Sequence, residues 1–275
     1  MIKIAVIGSC GKMGSEVVKL TTREEDFKLA CAVDKFGAGE KINNEIVILD
    51  DISKLEGKDI DIAVDFTQPS TIFENIKTYI KLGIKSVIGT TGLSKEQVEE
   101  IEKLSKEAQV GVIIAPNFSI GAILMMEFAA RASKYFNNAE IIEYHHNQKK
   151  DAPSGTSIKT AQMMMKNNDN FKLGNCAEVE TIKGARGGEY QENNKGNIQI
   201  HAVRMPGFVA SQQVIFGADG QILKIHHDTI NRECYMSGVA LAIRYLYKNN
   251  QFIYGLENIL WRKLYQTLPY WAQLE

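Results

Sequence analysis

A glycine-rich turn directly after a short apolar run constrains the fold of this chain more than any other feature. The run at residues 3–8 leads into the string GSCGKMG at residues 8–14, and a helical pattern begins at once. Glycines at such a turn let backbone N–H groups approach a pyrophosphate, whose charge the N-terminus of a helix favours. Because the spacing is GxxGxxG rather than GxGxxG, the string alone fits an ordinary strand-to-helix turn equally well.

An acidic residue after the next apolar run favours phosphate binding. Asp34 lies 20 positions after Gly14, at the place where an acid can bind the ribose hydroxyls of a dinucleotide. Its neighbour Lys35 is either a partner for a 2′-phosphate or a solvated surface lysine. The sequence therefore predicts a dinucleotide-binding turn, with NADH and NADPH both open as cofactors.

Apolar runs alternate with helical patterns along the first half of the chain. The apolar runs lie at residues 3–8, 28–33, 61–66, 85–90 and 110–116, and the helical patterns lie at residues 13–22, 72–82 and 95–107. This alternation predicts an α/β fold with a Rossmann-like doubly wound parallel sheet. Two strand ends, GTTG at residues 89–92 and APNF at residues 115–118, lie where such a sheet binds its ligands, although either could be a plain turn.

The second half of the chain has a different pattern. Helical patterns at residues 120–135 and 156–166 flank a strand-like run at 139–146, and three further strand-like runs follow. These runs lie at residues 197–204, 208–217 and 221–228, separated by turn signals such as Asp219-Gly220. The pattern predicts a second α+β domain with a mixed or antiparallel sheet.

Charge and cysteine spacing exclude several classes of protein. The 32 Lys and Arg residues nearly balance the 33 Asp and Glu residues, so a nucleic-acid partner is not expected. No apolar run is long enough for a secretory core or a spanning helix, which predicts a cytoplasmic protein without a membrane partner. Cys10, Cys31, Cys176 and Cys234 are scattered without ligand spacing, so we expect reduced thiols and no metal.

A polar cluster at residues 143–156 carries the strongest chemical signal. It combines His145, His146 and Lys149 with a Ser154-Gly155-Thr156 entry to a helix. Free N–H donors at a helix start can hold a carboxylate, and a histidine can deliver a proton when a hydride reaches the substrate. The alternative is a solvent-exposed histidine pair beside an ordinary helix cap, but the density of such residues favours a site for an acidic substrate.

Other polar residues give weaker signals. His226 and His227 follow another strand without a nearby lysine or glycine turn, so we interpret them as structural. Arg186 and Arg204 are candidate anion contacts. The three consecutive methionines at residues 163–165 are interpreted as core packing on a helix.

These motifs together resemble a known family, the 4-hydroxy-tetrahydrodipicolinate reductases, also called dihydrodipicolinate reductases. The resemblance rests on GKMG, DFTQP, GTTG and APNFSIG, and above all on EYHHNQKKDAPSGT at residues 143–156. It implies a dinucleotide-binding domain at residues 1–118 and 230–275, with a substrate-binding and oligomerisation domain at 119–229. It also implies a homotetramer built through the sheet of the second domain.

The resemblance implies roles for individual residues. His145 matches the proton donor or acceptor and Lys149 the catalytic lysine, while His146, Gly155 and Thr156 match substrate contacts, to which the helix-start pattern adds Ser154. The matched cofactor contacts are Gly8, Ser9, Cys10, Gly11, Lys12, Met13, Asp34, Lys35, Gly89, Thr90, Thr91, Ala115, Pro116, Asn117 and Phe118.

The implied activity is NAD(P)H-dependent reduction of a cyclic imine that carries two carboxylates, in lysine and diaminopimelate biosynthesis. Asp34-Lys35 stands where a Glu-Arg pair is frequent in the family, which leaves the preference between NADH and NADPH open. One alternative is another amino-acid-pathway dehydrogenase, against which the HHxxK and SGT combination argues. Another is a non-catalytic nicotinamide sensor, which would have no need of a proton donor.

Overall fold

The computed structural model of the chain describes residues 1–172, 182, 184–192 and 195–260. It divides into two compact units, and the break points lie at 119/120 and 231/232. The first unit contains Met1–Ser119 and the described residues from Arg232 onward, and the second contains Ile120–Asn231. Cys176 lies outside the described residues, and among the residues that are described Cys10, Cys31 and Cys234 form no disulfide.

The first unit is built on a sheet that is parallel except at one edge. Its strands are β1 (Ile2–Ile7), β2 (Phe27–Val33), β3 (Lys41–Ile42), β4 (Ile46–Leu49), β5 (Ile62–Asp65), β6 (Lys85–Ile88), β7 (Val112–Ile114) and β13 (Phe252–Tyr254). Within the described part of the chain the strand order is β13-β7-β6-β5-β1-β2-β4-β3, and β3 pairs antiparallel with β4. All four residues of β5 are buried, as expected for a strand covered on both faces.

The helices of this unit begin and end at residues with clear local signals. They are α1 (Lys12–Arg23), α2 (Ile72–Leu82), α3 (Lys95–Ala108) and α6 (Met236–Lys248). A capping box starts α3, because Ser94 Oγ accepts from the Gln97 N–H while the Gln97 side chain accepts from the Ser94 N–H. Gly83, with φ +70°, ends α2 in the left-handed conformation that glycine adopts easily.

The second unit packs two helices against one mixed sheet. The strands are β8 (Asn138–His145), β9 (Gly188–Glu192), β10 (Lys195–Arg204), β11 (Ala210–Ala218) and β12 (Gln221–Thr229), and the helices are α4 (Ile120–Ala132) and α5 (Gly155–Asn167). Among the described residues the strand order is β12-β11-β8-β10-β9, in which β8 and β10 are parallel and the other pairs antiparallel. The two-residue turn Asp219-Gly220 joins β11 to β12, as the sequence predicts.

The core of the second unit lies between its helices and one face of the sheet. Ile141, Val214 and Phe216 from the strands pack against Met164 and Met165 of α5. Residues that alternate with these along each strand point to the opposite face. The burial of these two methionines fits the core position that the sequence favours for residues 163–165.

The α/β fold with a Rossmann-like parallel sheet and a second α+β unit confirms the predicted fold class. No helix in the described ranges combines the length and the apolar character that a bilayer crossing requires.

Candidate functional site

The predicted cofactor residues of the first unit lie at one edge of its sheet. Strands β1, β2, β5, β6 and β7 are parallel, so their carboxyl ends meet at the same edge. Gly8 to Met13 follow β1, Asp34 and Lys35 follow β2, Gly89 to Thr91 follow β6, and Ala115 to Phe118 follow β7. The fold therefore brings together strand ends that are far apart in the sequence.

The glycine turn is too closely packed for side chains at two of its positions. Gly8 has φ +79°, and a Cβ there would lie 2.6 Å from the carbonyl oxygen of Phe66. A Cβ on Gly14 would lie 1.9 Å from the carbonyl oxygen of Gly8. Because real Cβ atoms do not approach backbone this closely, these two glycines are required by the shape of the turn.

The N-terminus of α1 is open to an anionic group. Gly11 occupies the cap position and supplies no side-chain hydrogen bond, and the first turn contains no acidic residue. Lys12 and Met13 begin the helix, and Cys10 before them is exposed. The first N–H groups of a helix lack partners within the helix, so this end suits a phosphate.

Asp34 connects the end of β2 to the glycine turn. Its carboxylate accepts hydrogen bonds from the backbone N–H groups of Cys10 and Phe36, each at 2.9 Å. A carboxylate has about four acceptor positions, so two of them are left for hydroxyl groups of a ligand. Lys35 beside it is exposed.

A buried carboxylate at the end of β5 holds two neighbouring strand ends in place. Asp65 is fully buried, and it accepts from the N–H of Thr67 at 2.9 Å and its hydroxyl at 2.6 Å. It also accepts from Asn75 Nδ2 at 3.0 Å, from the Tyr79 hydroxyl at 2.7 Å and from the Thr90 hydroxyl at 3.4 Å. Burial and then the charge of Asp65 raise the pKa of Tyr79, which therefore remains a donor.

In the second unit, β8 places an acid and a histidine on the same face. Side chains two residues apart on a strand point to the same side, so Glu143 and His145 lie next to each other on one face of the sheet. Glu143 is fully buried, and its carboxylate accepts from Arg204 Nη1 at 2.9 Å and Nη2 at 2.7 Å. It also accepts from the Ser154 N–H at 3.2 Å and contacts His145 Nδ1.

These contacts change the ionisation of Glu143. Burial alone would raise the pKa of its carboxyl, but the hydrogen bonds from His145 and Arg204 and their positive charges outweigh burial. The pKa of Glu143 is consequently lowered, and the group is a carboxylate at neutral pH.

The N-terminus of α5 begins directly beside this carboxylate. Ser154 is the cap residue, and its hydroxyl accepts from the Ser157 N–H at 3.2 Å and contacts the Ser157 hydroxyl at 2.8 Å. The polar groups of Ser154 are thus used within the protein, and a substrate-binding role for it stays a prediction. Gly155 and Thr156 supply the first N–H groups of the helix, and an added Cβ on Gly155 would meet no atom within 4 Å.

The loop between β8 and α5 carries the remaining predicted substrate residues. Lys149 Nζ donates to Asp151 Oδ1 at 2.8 Å, and 23% of the Lys149 side chain is exposed. Arg204 Nη2 donates to the Asp151 carbonyl at 2.6 Å, which fastens the loop to β10. Within the described part of the chain, the buried Nδ1 of His146 has no hydrogen-bond partner.

The arginines proposed as anion contacts bind carboxylates of the protein. Arg204 pairs with Glu143, and Arg186 Nη2 lies 3.3 Å from Glu140 Oε1. The sequence could not show these partners, because strand pairing brings them together from 61 and 46 positions away.

The second histidine pair lies on β12. His226 Nε2 lies 2.9 Å from Asp228 Oδ2, while His227 packs against Gly121 at the start of α4. Burial lowers the pKa of His227, which favours its neutral form. Among the described residues, no group of three or more His, Cys, Asp or Glu side chains could hold a metal ion.

Sequence reasoning missed the two carboxylates at the centres of these clusters. It assigned no role to Asp65 or to Glu143, although both lie inside motifs that it quoted. The alternation of Glu143 and His145 along one strand is a signal that could have found the second. The sequence contains no comparable signal for Asp65, because its partners come from a helix and two strand ends.

The fold and the two clusters define a class of protein: a Rossmann-type α/β unit with a glycine-rich turn at the start of α1, joined to an α+β unit that carries an acid–histidine pair. Comparison with known proteins specifies the class further. The family model "Dihydrodipicolinate reductase, N-terminus" matches residues 2–118, and "Dihydrodipicolinate reductase, C-terminus" matches residues 121–260.

Individual relatives agree with the family models. The 4-hydroxy-tetrahydrodipicolinate reductase of Listeria innocua is 46% identical over 267 residues, which cover 94% of this chain and 100% of that protein. The Syntrophomonas wolfei reductase is 46% identical over 268 residues, with 94% and 98% covered. The dipicolinate-bound dihydrodipicolinate reductase of Paenisporosarcina sp. TG-14 has a TM-score of 0.84 and 40% identity, covering 94% of this chain and 99% of that one. The chain belongs to the dihydrodipicolinate reductase family and is an oxidoreductase.

We predict that Asp65→Asn destabilises the first unit. The amide replaces one acceptor oxygen by an NH₂ group, so at least one buried donor of Thr67, Asn75 or Tyr79 loses its partner, at a cost of about 1–3 kcal/mol. Urea unfolding would measure the loss. Asp50→Asn is the matched control, because Asp50 forms an exposed ion pair with Lys54 that is worth at most about 1 kcal/mol. Equal stability of the Asp65 and Asp50 variants would contradict the network.

We predict that Glu143 contributes stability in a pH-dependent way. Its pKa is lower in the folded protein than the ordinary value of 4.5, so its contribution is complete above that value. The contribution disappears as the pH falls through the folded-state pKa. The free energies of unfolding of the native protein and of Glu143→Gln should therefore converge on acidification. A difference that grows as the pH falls would show that the carboxylate is not stabilised by its partners.

Proposed function

We propose that the protein catalyses the NAD(P)H-dependent reduction of 4-hydroxy-tetrahydrodipicolinate, by way of dihydrodipicolinate, to tetrahydrodipicolinate in lysine and diaminopimelate biosynthesis. The observation that carries the proposal is the His145 cluster on β8, where a buried carboxylate contacts the imidazole next to an open helix N-terminus. The names of the relatives support the same reaction.

The first unit is proposed to hold the dinucleotide. The uncapped N-terminus of α1 fits a pyrophosphate, and the two open acceptor positions of Asp34 fit ribose hydroxyls. The strand ends at Gly89 to Thr91 and Ala115 to Phe118 border the same edge of the sheet. When bound, the reduced nicotinamide supplies a hydride from its C4 atom.

The cofactor preference is proposed to be dual. Asp34 can bind the free ribose hydroxyls of NADH, whereas Lys35 can pair with the 2′-phosphate of NADPH. Because Lys35 is exposed, its ammonium group is accessible to such a phosphate.

The second unit is proposed to hold a small dicarboxylate. Dipicolinate, which is bound in the Paenisporosarcina structure, carries two carboxylates on one ring. The N–H groups of Gly155 and Thr156 can bind one carboxylate at the N-terminus of α5, where space is open. Lys149 and the unpartnered, buried side of His146 supply further polar contacts.

His145 is proposed to deliver the proton, with Lys149 assisting. Loss of water from the hydroxy substrate gives a conjugated cyclic imine, and its reduction adds one hydride and one proton while NAD(P)⁺ is formed. The hydride leaves an electron pair on the ring, which an acid must quench. His145 can lose a proton to the ring and regain one from water, since 14% of its side chain is exposed.

Assembly as a homotetramer is proposed for the second unit. Its helices cover one face of the sheet, and partly buried residues such as Ile142, Tyr144 and Ile215 occupy the opposite face. Light scattering of the purified chain would distinguish a tetramer from a monomer.

An assay of NADH and NADPH oxidation with freshly prepared 4-hydroxy-tetrahydrodipicolinate tests the reaction. Oxidation that depends on this substrate supports the proposal. Oxidation with an aspartate semialdehyde instead would indicate another pathway dehydrogenase. Binding of nucleotide without any turnover would indicate a sensor.

We predict that His145→Gln lowers kcat by about 10²- to 10⁴-fold, which is the usual contribution of a general acid. Affinity for the dinucleotide should persist, because none of the proposed cofactor contacts is altered. Steady-state kinetics and a fluorescence titration of NADH would measure both quantities. His226→Gln is the matched control and should keep native turnover, since His226 pairs with Asp228 on another strand. Unchanged turnover in the His145 variant would remove this residue from the mechanism.

A further inference from the structure

The Glu143 carboxylate receives donors from three parts of the second unit. Arg204 on β10 donates twice, the Ser154 N–H donates from the start of α5, and His145 contacts it from the same strand. The carboxylate is fully buried, so water does not compete for these positions. Its place between Arg204 and the imidazole is therefore set by several contacts at once.

The chemistry of this contact determines which nitrogen of His145 carries a proton. An ionised carboxylate can only accept hydrogen bonds, so the nitrogen that faces Glu143 must donate. That nitrogen is Nδ1. In the neutral ring the single proton is then on Nδ1, and Nε2 is the nitrogen that gains and loses the catalytic proton.

We infer that Glu143 is a positioning residue for the reduction. It fixes the Nδ1–H tautomer of His145, directs Nε2 away from the carboxylate and stabilises the imidazolium. Arg204 holds the Glu143 carboxylate in place. This inference deepens the proposed function and rests on the role given there to His145. A carboxylate that orients an imidazole in this way is a general device for acid–base catalysis.

The charges around the pair have opposite effects on the imidazolium. Glu143 favours it, and Arg204, which is 18% exposed, opposes it. The loop contributes Lys149 and Asp151, which pair with each other, and the adjacent His146. Strand β11 places only the uncharged Ala210 and Gln212 opposite His145 and Glu143. Glu143 and Arg204 are thus the charges whose removal should move the titration of His145.

The first test needs no change at Glu143. Nitrogen-15 NMR of histidine-labelled native protein reports which ring nitrogen is protonated, and the His145 signals are assigned by their loss in His145→Gln. We expect the neutral ring of His145 to carry its proton on Nδ1. A neutral ring protonated on Nε2 would overturn the inference.

The second test compares the two charges by the sign of their effect. In Glu143→Gln the midpoint of the His145 titration should move to lower pH by about one unit or more, the usual effect of an adjacent opposite charge. In Arg204→Gln it should move to higher pH. A purely structural role would not move the His145 midpoint in opposite directions in the two variants. Shifts of the same sign in both variants, or no shifts, would therefore contradict the inference.

A matched control comes from the same strand. Glu140 on β8 pairs with His201 Nε2 at 2.9 Å and with Arg186, on the face opposite to Glu143. Glu140→Gln should move the titration of His201 and leave that of His145 unchanged. A shift of His145 in this variant would show that the effect is not specific to Glu143.

Steady-state kinetics test whether the contact between Glu143 and His145 affects turnover. Glu143→Gln should lower kcat by about 10²- to 10⁴-fold with little change in the KM for NADH, and Glu143→Asp, which keeps the charge, should recover part of the loss. A kcat close to that of the native protein would overturn the inference. If the native protein itself shows no reductase activity, the proposed function fails, whereas the NMR tests still decide whether Glu143 controls His145.

Discussion

The structure of the second unit depends on one ion pair buried between strands. A carboxylate that is removed from water is costly unless charged and hydrogen-bonding partners surround it, and Glu143 has Arg204, Ser154 and His145. The same contacts join β8 to β10, to the loop at Asp151 and to the start of α5. One buried charge thereby fixes the positions of all the elements that carry the proposed substrate residues.

The first unit uses a buried carboxylate in a similar way. Asp65 accepts hydrogen bonds from α2 and from the strand ends at Thr67 and Thr90. The neighbouring Phe66 packs against Phe118, with ring centroids 5.7 Å apart. These contacts tie the ends of β5 and β6 to α2, at the edge of the sheet where the dinucleotide is proposed to bind. In both units a buried acid holds groups that are proposed to face a ligand.

Much of this architecture could be predicted from the sequence, because its signals are local. The glycine turn and the helix start at Ser154 depend on neighbours close along the chain, and Asp34 lies at a readable spacing after the turn. The sequence does not predict strands β3, β4, β9 and β13, of which β3 and β13 have only two and three residues and carry no readable periodicity. Glu143 and Arg204 each look like an ordinary polar strand residue, and only the pairing of β8 with β10 shows that they neutralise each other. Long-range partners of this kind are not encoded in any single segment.

His145, oriented by Glu143, is proposed to face a dicarboxylate bound at the N-terminus of α5. A crystal structure of the protein with dipicolinate bound would test this most directly. We expect a carboxylate on the N–H groups of Gly155 and Thr156, with His145 Nδ1 on Glu143 and Nε2 directed at the ligand ring. Dipicolinate bound at another place, or a His145 ring turned so that Nε2 contacts Glu143, would contradict it.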